Sequence, residues 1–508
     1  MLELSSADLE LLKSKGISVE QIENQIANFK IGFPFAKIDR PATHSDGIIV
    51  LDENGYKNGI EFYNKHSQEM QILKFVPASG AASRMFKHLF EFRELLNQYS
   101  YDSLIENSKY KLAKEFFSNI DKFAFYNDLS KICNDKFESI STNNAKIILD
   151  SLLGAKGLNY ASLPKALLKF HSYDSCDRLA IEEHLMEAIQ YGISKENYAR
   201  IHFTVSPEHQ SKFNEILSEI VPLYEKKYSI KFEIQLSNQK PSTDTIAVDI
   251  SNNVFRDNGN LFFRPGGHGA LIENLNELDA DMIFIKNIDN VVRDEKRQPT
   301  IDYKKSIASY GIHLKNEIDN LLKLLEQGEG VNLAIEFITN KLNLNISEQI
   351  SELDEFERLD YLFDVLNRPL RVCGMVKNVG EPGGGPFWVD KNGEIRLQIV
   401  ESVEIDQNNP KQLELMKQST HFNPVDLVCF TKDYKGQKYD LKEFVDNNSA
   451  FISEKSKDGK TLKAMELPGL WNGAMAFWNT IFMEVPIDTF SPVKTVNDLL
   501  RDSHIKLS

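Results

Sequence analysis

The chain has 508 residues, 42% of them hydrophobic and 26% charged, a globular composition that excludes a disordered or fibrous protein. At roughly 150 residues per domain it is too long for one ordinary core. With 59 basic against 74 acidic side chains the formal net charge is −15, and so negative a body repels a phosphate backbone and an anionic lipid surface, which leaves nucleic acid and membranes off the list of expected partners while a local basic pocket could still hold a small anion.

The acidic opening lacks the basic-then-apolar layout of a signal or transit peptide and predicts a helix capped at Ser5, with Asp8 completing a capping box. Residues 1–70 are expected to form a helical N-terminal segment with one polar turn at 52–55. The run 72–76 (ILKFV) predicts a strand that breaks into the small-residue loop PASGAASR and then a helix over 85–96, the opening of an α/β unit. Residues near 95–160 carry Lys, Asn and Phe at helical spacing and read as an insertion. The alternation resumes with a strand at 166–170, a helix at 181–191, a strand at 199–205, a helix at 211–228 and a strand at 230–236. Runs at 260–263 and 281–286 predict two further strands around a helix at 270–278, and a second helical insertion is expected near 300–365. Strands at 371–377 and 395–403 flank a Gly-Glu-Pro-Gly-Gly-Gly-Pro loop. The expected division is thus 1–70, a catalytic α/β region over 71–405 with its two insertions, and an α+β region over 406–508 that completes the site. The uncharged stretch 467–483 includes Pro468, Asn472, Asn479 and Thr480, too polar to span a bilayer, and predicts core. Cys133, Cys176, Cys373 and Cys429 form no CxxC pair and are expected as buried thiols of a cytoplasmic protein.

Several short segments have the chemistry to hold ligands. Between a strand end and a helix start, Ser79, Gly80, Ala81 and Ser83 let backbone N–H groups converge on an anion, and Arg84 adds a forked donor for phosphate oxygens. The loop fits neither GxxxxGK[ST] nor GxGxxG, so neither a P-loop nor a Rossmann site is supported; a plain strand–helix turn is the alternative. Lys165, stiffened by Pro164, can aim an ammonium group at a phosphate, or lie solvated at an edge. In Arg264-Pro-Gly266-Gly267-His268-Gly269 the glycines let a flat ligand such as a nucleobase approach bare backbone, unless the segment is only a turn with a structural histidine. Asp289 closes the most apolar strand, where α/β sheets bind ligands, and a hard carboxylate suits Mg²⁺ with phosphates. Glu401 could accept hydrogen bonds from sugar hydroxyls, and Lys494 is a second lysine beside a proline. His184 and Glu187 share a helix face, which ordinary helix solvation explains better than a metal site.

Taken in order, these segments resemble the sugar-1-phosphate nucleotidyltransferases, and most closely the UTP–glucose-1-phosphate uridylyltransferase and UDP-N-acetylhexosamine pyrophosphorylase branch. The carriers are RPGGHG from Arg264, the strand end Asn287-Ile288-Asp289-Asn290, and FSPVKTVNDLL from Phe490. A bacterial family of unknown function related to that branch is the expected whole-length match. The resemblance implies an α/β fold of the nucleotide-diphospho-sugar transferase (GT-A-like) type with a mixed, mostly parallel sheet. It implies a Mg²⁺-dependent transferase that joins a nucleoside triphosphate, UTP first, to a sugar-1-phosphate and releases pyrophosphate. By the same resemblance the residues from Gly80 to Arg84 hold the nucleotide phosphates, Lys165 and Lys494 the phosphates of the reacting pair, Gly267 to Gly269 the base, Glu401 the sugar and Asp289 the metal. The chain departs from the family in its first loop, SGAASRM, which has fewer glycines, and in the roughly eighty residues between Arg84 and Pro164. The base-contacting glutamine could be Gln235 or Gln239, and a second metal ligand could be Asn423 or Asp426, near His421. A glycosyltransferase on the same fold and a non-catalytic nucleotide-sugar sensor are the alternatives, the second kept open by the thinned glycines.

Overall fold

Two sets of strands, each assembled from distant parts of the chain, organise the computed structural model, which describes residues 4–134, 137–194, 197–380, 383–391 and 393–506. Residues 1–3 of the acidic opening, and Glu381 and Pro382 of the glycine loop, lie outside the described residues. The chain divides into one unit of Met1–His66, Ser237–Ile285 and Lys305–Val485, and another of Ser67–Leu236, Lys286–Lys304 and Pro486–Ser508.

In the second of these units the strands run in the order Ile72–Pro77, Tyr198–Val205, Lys231–Asn238. The first two are parallel, with Lys74 opposite Ile201 and Pro77 opposite Thr204. A parallel pair needs a crossover, and the helices Ala180–Tyr191 and Gln210–Tyr228 supply apolar faces to cover it. Val76, Ile201, Phe203 and Val205 of the strands pack with Ile181, Leu185 and Ala188 of one helix and Phe213 and Leu217 of the other. The expected insertion is helical, from Lys87–Leu95 to Thr142–Leu153, and its buried Phe86, Phe92, Phe116 and Phe125 form their own core. Val493, Val496 and Leu499 join that core, which ties the end of the chain to the insertion.

The other unit holds strands in the order Ile48–Ile49, Asn479–Glu484, Leu370–Lys377, Asp426–Phe430, Met282–Lys286. The first three are mutually parallel, and Leu370–Lys377 pairs antiparallel with Asp426–Phe430. The fold class is therefore mixed α/β, as expected. A long helix, Gln298–Glu326, approaches so closely that a Cβ on Gly311 would sit 2.5 Å from the Phe430 ring. A three-stranded antiparallel sheet of Ile38–Pro41, Gly385–Lys391 and Glu394–Val400 lies in the same unit.

The sequence misplaces several local elements. The polar turn at 52–55 is the start of the helix Glu53–His66, where Asp52 Oδ1 accepts from the Gly55 amide. The strand expected at 166–170 starts with a 3₁₀ turn, Lys165–Leu167, because the Leu167 amide closes back on the Pro164 carbonyl; only Lys169–Ser172 is extended. A similar turn, His268–Leu271, precedes a shorter helix, Ile272–Glu277. The strand expected over 395–403 ends at Val400, since Glu401 and Glu404 cap a turn over Ser402–Glu404. Of the cysteines only Cys373 and Cys429 are buried; Cys176 is exposed and Cys133 half-buried, because they lie at a hairpin tip and a helix end. Among the described residues no helix is long and apolar enough to cross a membrane.

Candidate active site

The loop after the strand Ile72–Pro77 is fixed by backbone bonds on both sides. The Ala78 amide donates to the Thr204 carbonyl, and Ser206 Oγ donates to the Ser79 carbonyl. Beyond it, the Ala82 amide donates to Leu163 O (3.0 Å) and the Lys165 amide to Gly80 O (3.3 Å), so the loop and the Leu163-Pro164-Lys165 segment form a short antiparallel bridge. The Val496 amide donates to the Met85 carbonyl and brings in the Pro-Val-Lys segment. Three motifs scattered over more than four hundred residues of sequence thus meet. Gly80 has open space at its Cβ position and Ala81 an ordinary extended backbone, so alanines cost this loop nothing. Gly80, Ala81, Ser83 and Arg84 are exposed, Ser79 is half-buried, and Arg84 makes no ion pair among the described residues.

At the centre sits Asp289, the strand-end carboxylate. Lys165 Nζ donates to its Oδ2 (2.7 Å) and to the Val493 carbonyl (2.6 Å). Lys494 Nζ reaches the same oxygen at 3.4 Å. The Val493 amide in turn donates to the Asp289 carbonyl, so backbone and side chains lock one geometry. Lys165 is only 14% exposed and Lys494 52%. Burial alone would raise the Asp289 carboxyl, but the Lys165 and Lys494 ammonium groups outweigh burial and hold it below its usual range. Two ammonium groups on one carboxylate leave this cluster with a net charge of +1.

Behind Asp289 lies a charge network whose partners are far apart in the sequence. Glu187 accepts from Lys74 Nζ (2.7 Å), Lys286 Nζ (2.6 Å) and Tyr191 OH (2.8 Å), and all four side chains are buried. Burial would raise the Glu187 carboxyl, and the Lys286 and Lys74 charges hold it well below its usual value instead. His184 is kept neutral by burial and by those ammonium groups, and its Nε2–H donates to the carbonyl of Ile288, next to Asp289. Helix solvation is therefore the wrong account of His184 and Glu187. They are interior residues that brace the segment from Lys286 to Asp289.

The glycine turn and Glu401 belong to the other unit. A Cβ on Gly269 would lie 2.1 Å from the Pro468 carbonyl and one on Gly266 2.5 Å from that of Thr243. These glycines are required by the chain's own close packing, and Gly267 by its φ of +79°. His268 stacks on Trp471 (4.4 Å between centroids) and accepts the Leu470 amide at Nδ1, which leaves the proton on Nε2, 3.7 Å from Glu401 Oε1. The His268 side chain holds the Glu401 carboxyl below its usual range against the effect of burial. Its neighbour Glu404 is pushed up to about 7 by burial, although its Oε2 accepts from the Glu401 amide and from Asn472. The sequence offered only the repeated V-E of Val400-Glu401-Ser402-Val403-Glu404 as a sign of Glu404, and none of Trp471.

The secondary candidates are engaged in local bonds. Gln235 donates to Glu233, Gln239 to Thr243, and Asn423 braces a turn by donating to Gly374 O and accepting from the Val425 amide. Among the described residues no group of three or more acidic, histidine or cysteine side chains could hold a metal. A Mg²⁺ that takes most of its ligands from substrate phosphates and water, with Asp289 as its protein carboxylate, fits these donors; an ion held by protein alone does not.

A family model described as a domain of unknown function, DUF4301, matches residues 5–505, and the chain belongs to that family. No curated protein matches it in sequence. Among solved structures, the UDP-N-acetylglucosamine pyrophosphorylase of Trypanosoma brucei, in complex with an inhibitor, is similar over 98% of this chain and 79% of that one, at 12% identity and a TM-score of 0.50. The UDP-glucose pyrophosphorylase of Leishmania major, in complex with UDP-glucose, gives 12% identity, 99% and 82% coverage and a TM-score of 0.43. At such identity the likeness to the trypanosomal protein is one of fold. The whole-length match to a family of unknown function is the one expected from the sequence.

Proposed function

We propose that this member of the DUF4301 family is a nucleotidyltransferase of the pyrophosphorylase type, with a GT-A-like core, that joins a nucleoside triphosphate to a sugar-1-phosphate. The observation that carries the reading is the convergence of Lys165 and Lys494 on Asp289, against a loop that carries Arg84. An oxygen of the sugar phosphate attacks the α-phosphorus. The new P–O bond forms as the bond to the bridging β-oxygen breaks, and the electron pair leaves with pyrophosphate. No proton needs to be abstracted, so no catalytic base is required. Positioning and charge neutralisation supply the acceleration, and one well-placed donor to developing charge is worth about 2.7–4 kcal/mol.

In this reading Lys165 holds a rigid charge at the phosphates, Lys494 follows the leaving pyrophosphate because it is half-exposed, and Arg84 grips the outer phosphate oxygens. Asp289 accepts from both lysines and would share Mg²⁺ with the phosphates, which would add neutralisation. In the other unit, taken by itself, the resemblance assigns a sugar contact to Glu401, kept ionised by His268, and a base contact, uracil first, to the turn from Gly266 to Gly269. The open space at Gly80 and the extended backbone at Ala81 support the catalytic reading over that of a non-catalytic sensor.

The test is pyrophosphate release from each of the four nucleoside triphosphates with a panel of sugar-1-phosphates. UTP with at least one sugar-1-phosphate should release pyrophosphate, and Lys494→Met should reduce the rate about a hundredfold or more. Nucleotide-sugar binding without pyrophosphate from any pair would overturn the reading in favour of a binding protein.

A further inference from the structure

A second line of bonds ends on the Pro-Val-Lys segment from the opposite side, and nothing in the proposed reaction uses it. Buried Glu183, held by Arg297, Arg178 and the Tyr173 hydroxyl, accepts from His171 Nδ1 at 2.9 Å. His171 Nε2 lies 2.8 Å from His504 Nδ1, and the two rings stack with centroids 5.1 Å apart. His504 Nε2 lies 3.1 Å from Ser491 Oγ, which also meets Ser503 Oγ. The Ser491 amide donates to Asn290 Oδ1 (2.8 Å), and two residues on is Val493, the carbonyl that holds Lys165.

We propose that His504 is a positioning residue: through Ser491 it locks the segment Ser491–Lys494 against Asn290 and Asp289, so that the His171–His504 pair controls whether Lys165 and Lys494 stay assembled. The proton arithmetic supports a lock that depends on protonation state. With Glu183 ionised, His171 carries its proton on Nδ1, so its Nε2 accepts from His504 Nδ1–H, and His504 Nε2 accepts from the Ser491 hydroxyl. One added proton can reverse every bond beyond His171 without breaking any. A second puts two N–H groups face to face at 2.8 Å, and the contact must open. The groups that face His504 agree. His171 and Arg501 disfavour its charge, and burial more so. Glu183 is the only carboxylate in the line, and it is already shared with two guanidinium groups. Asp121, Lys122 and Lys506 line the shallow opening beside the ring and bring more positive than negative charge.

The inference rests on the phosphate-binding reading only for its consequence on turnover, so its test avoids turnover. Amide hydrogen exchange of the full chain is followed at Ser491, Val493 and Val496 from pH 7.5 to 5, corrected for intrinsic rates. In the wild type, opening should rise at least about tenfold per pH unit below about 6.5, since the open segment binds at least one proton more than the closed one. Ser491→Ala removes only the hydroxyl link and keeps the amide bond to Asn290; it should raise exchange at pH 7.5 about tenfold and flatten the pH dependence, and His504→Gln should do the same. Wild-type protection and slope in both variants would overturn the proposal, as would a wild-type segment whose protection is constant to pH 5. If exchange behaves as stated while nucleoside triphosphate binding ignores the same variants, the lock stands and the phosphate reading of Lys494 fails.

Discussion

Replacing Lys165 and Lys494 by methionine, one at a time, separates the two jobs that the Asp289 cluster performs. At 2.7 Å and an effective dielectric of about 20, the Lys165–Asp289 attraction is about 6 kcal/mol before the desolvation that opposes it. Removing one partner of a buried pair costs about 3–5 kcal/mol. Lys494 remains as a counter-charge, so Lys165→Met should fall at the low end, about 3 kcal/mol. At about 2–4 °C per kcal/mol for a unit of this size, that is a melting shift of about 6–12 °C. Lys494 is 52% exposed and 3.4 Å away, solvent screens it, and its loss should cost under about 1 kcal/mol. The sign in pH follows from the depressed Asp289 carboxyl: its contribution is present above the unfolded value of about 3.9 and is lost as pH falls toward the folded one. Lys165→Met should therefore shrink the acid-side loss of stability. Both variants, and the exposed Arg84→Ala, should weaken nucleoside triphosphate binding in a calorimetric titration, and the last should leave the melting temperature within error. Equal destabilisation by Lys165→Met and Lys494→Met, or undiminished triphosphate binding in all three, would refute the reasoning.

Glu187→Gln leaves Lys74 and Lys286 buried without a counter-charge and should cost about 3–5 kcal/mol, read as a fall in melting temperature; a neutral result would mean that the lysines lose their protons or find water. Gly269→Ala forces a Cβ to 2.1 Å from the Pro468 carbonyl and should lower stability by more than about 2 kcal/mol, whereas Gly80→Ala meets nothing and should be neutral, a contrast that one pair of thermal melts decides. Glu404 has a folded value near 7, above its unfolded value of about 4.3, so its contribution is present below the unfolded value and is lost as pH rises through 7. Glu404→Gln should match the wild type at pH 4 and be more stable by a few kcal/mol at pH 8, by thermal melts across that range.

The parts of the site that sequence made legible are those whose chemistry is local. A phosphate loop needs small residues and a cation next to a strand end, and PASGAASR shows both within eight positions. The capping box of Ser5 and Asp8, the strand at Ile72–Pro77 and the helix Ala180–Tyr191 follow from neighbours three or four residues apart, and each is where the pattern puts it. Lys165 was legible as a residue and not as an environment. Pro164 marked it as stiff, but nothing near it told that Val493 and Asp289, 328 and 124 residues away, would bury it.

The interior charges are the harder case, and they show where a signal exists unread. Lys74 stands in the middle of ILKFV and Lys286 at the end of MIFIK, runs whose other members are all buried. A lysine that period-two alternation cannot place on a solvent face needs a buried partner. Glu183 and Glu187 are four apart on one helix, where like charges repel unless each has its own cation. Each oddity taken alone reads as surface decoration; together they require pairing, with Lys74 and Lys286 on Glu187 and Arg178 and Arg297 on Glu183. What the sequence cannot choose is which lysine meets which glutamate, because Coulomb attraction carries no register and any carboxylate brought within about 3 Å would serve. Topology makes that choice. The parallel strands set Lys74 beside helix Ala180–Tyr191, and the strand from Met282 delivers Lys286 to the same carboxylate. The next turn of chain then has its Ile288 carbonyl on His184 and its Asp289 between two lysines. The network that pays for burying those charges is thus the one that aims the carboxylate on which the proposed chemistry depends.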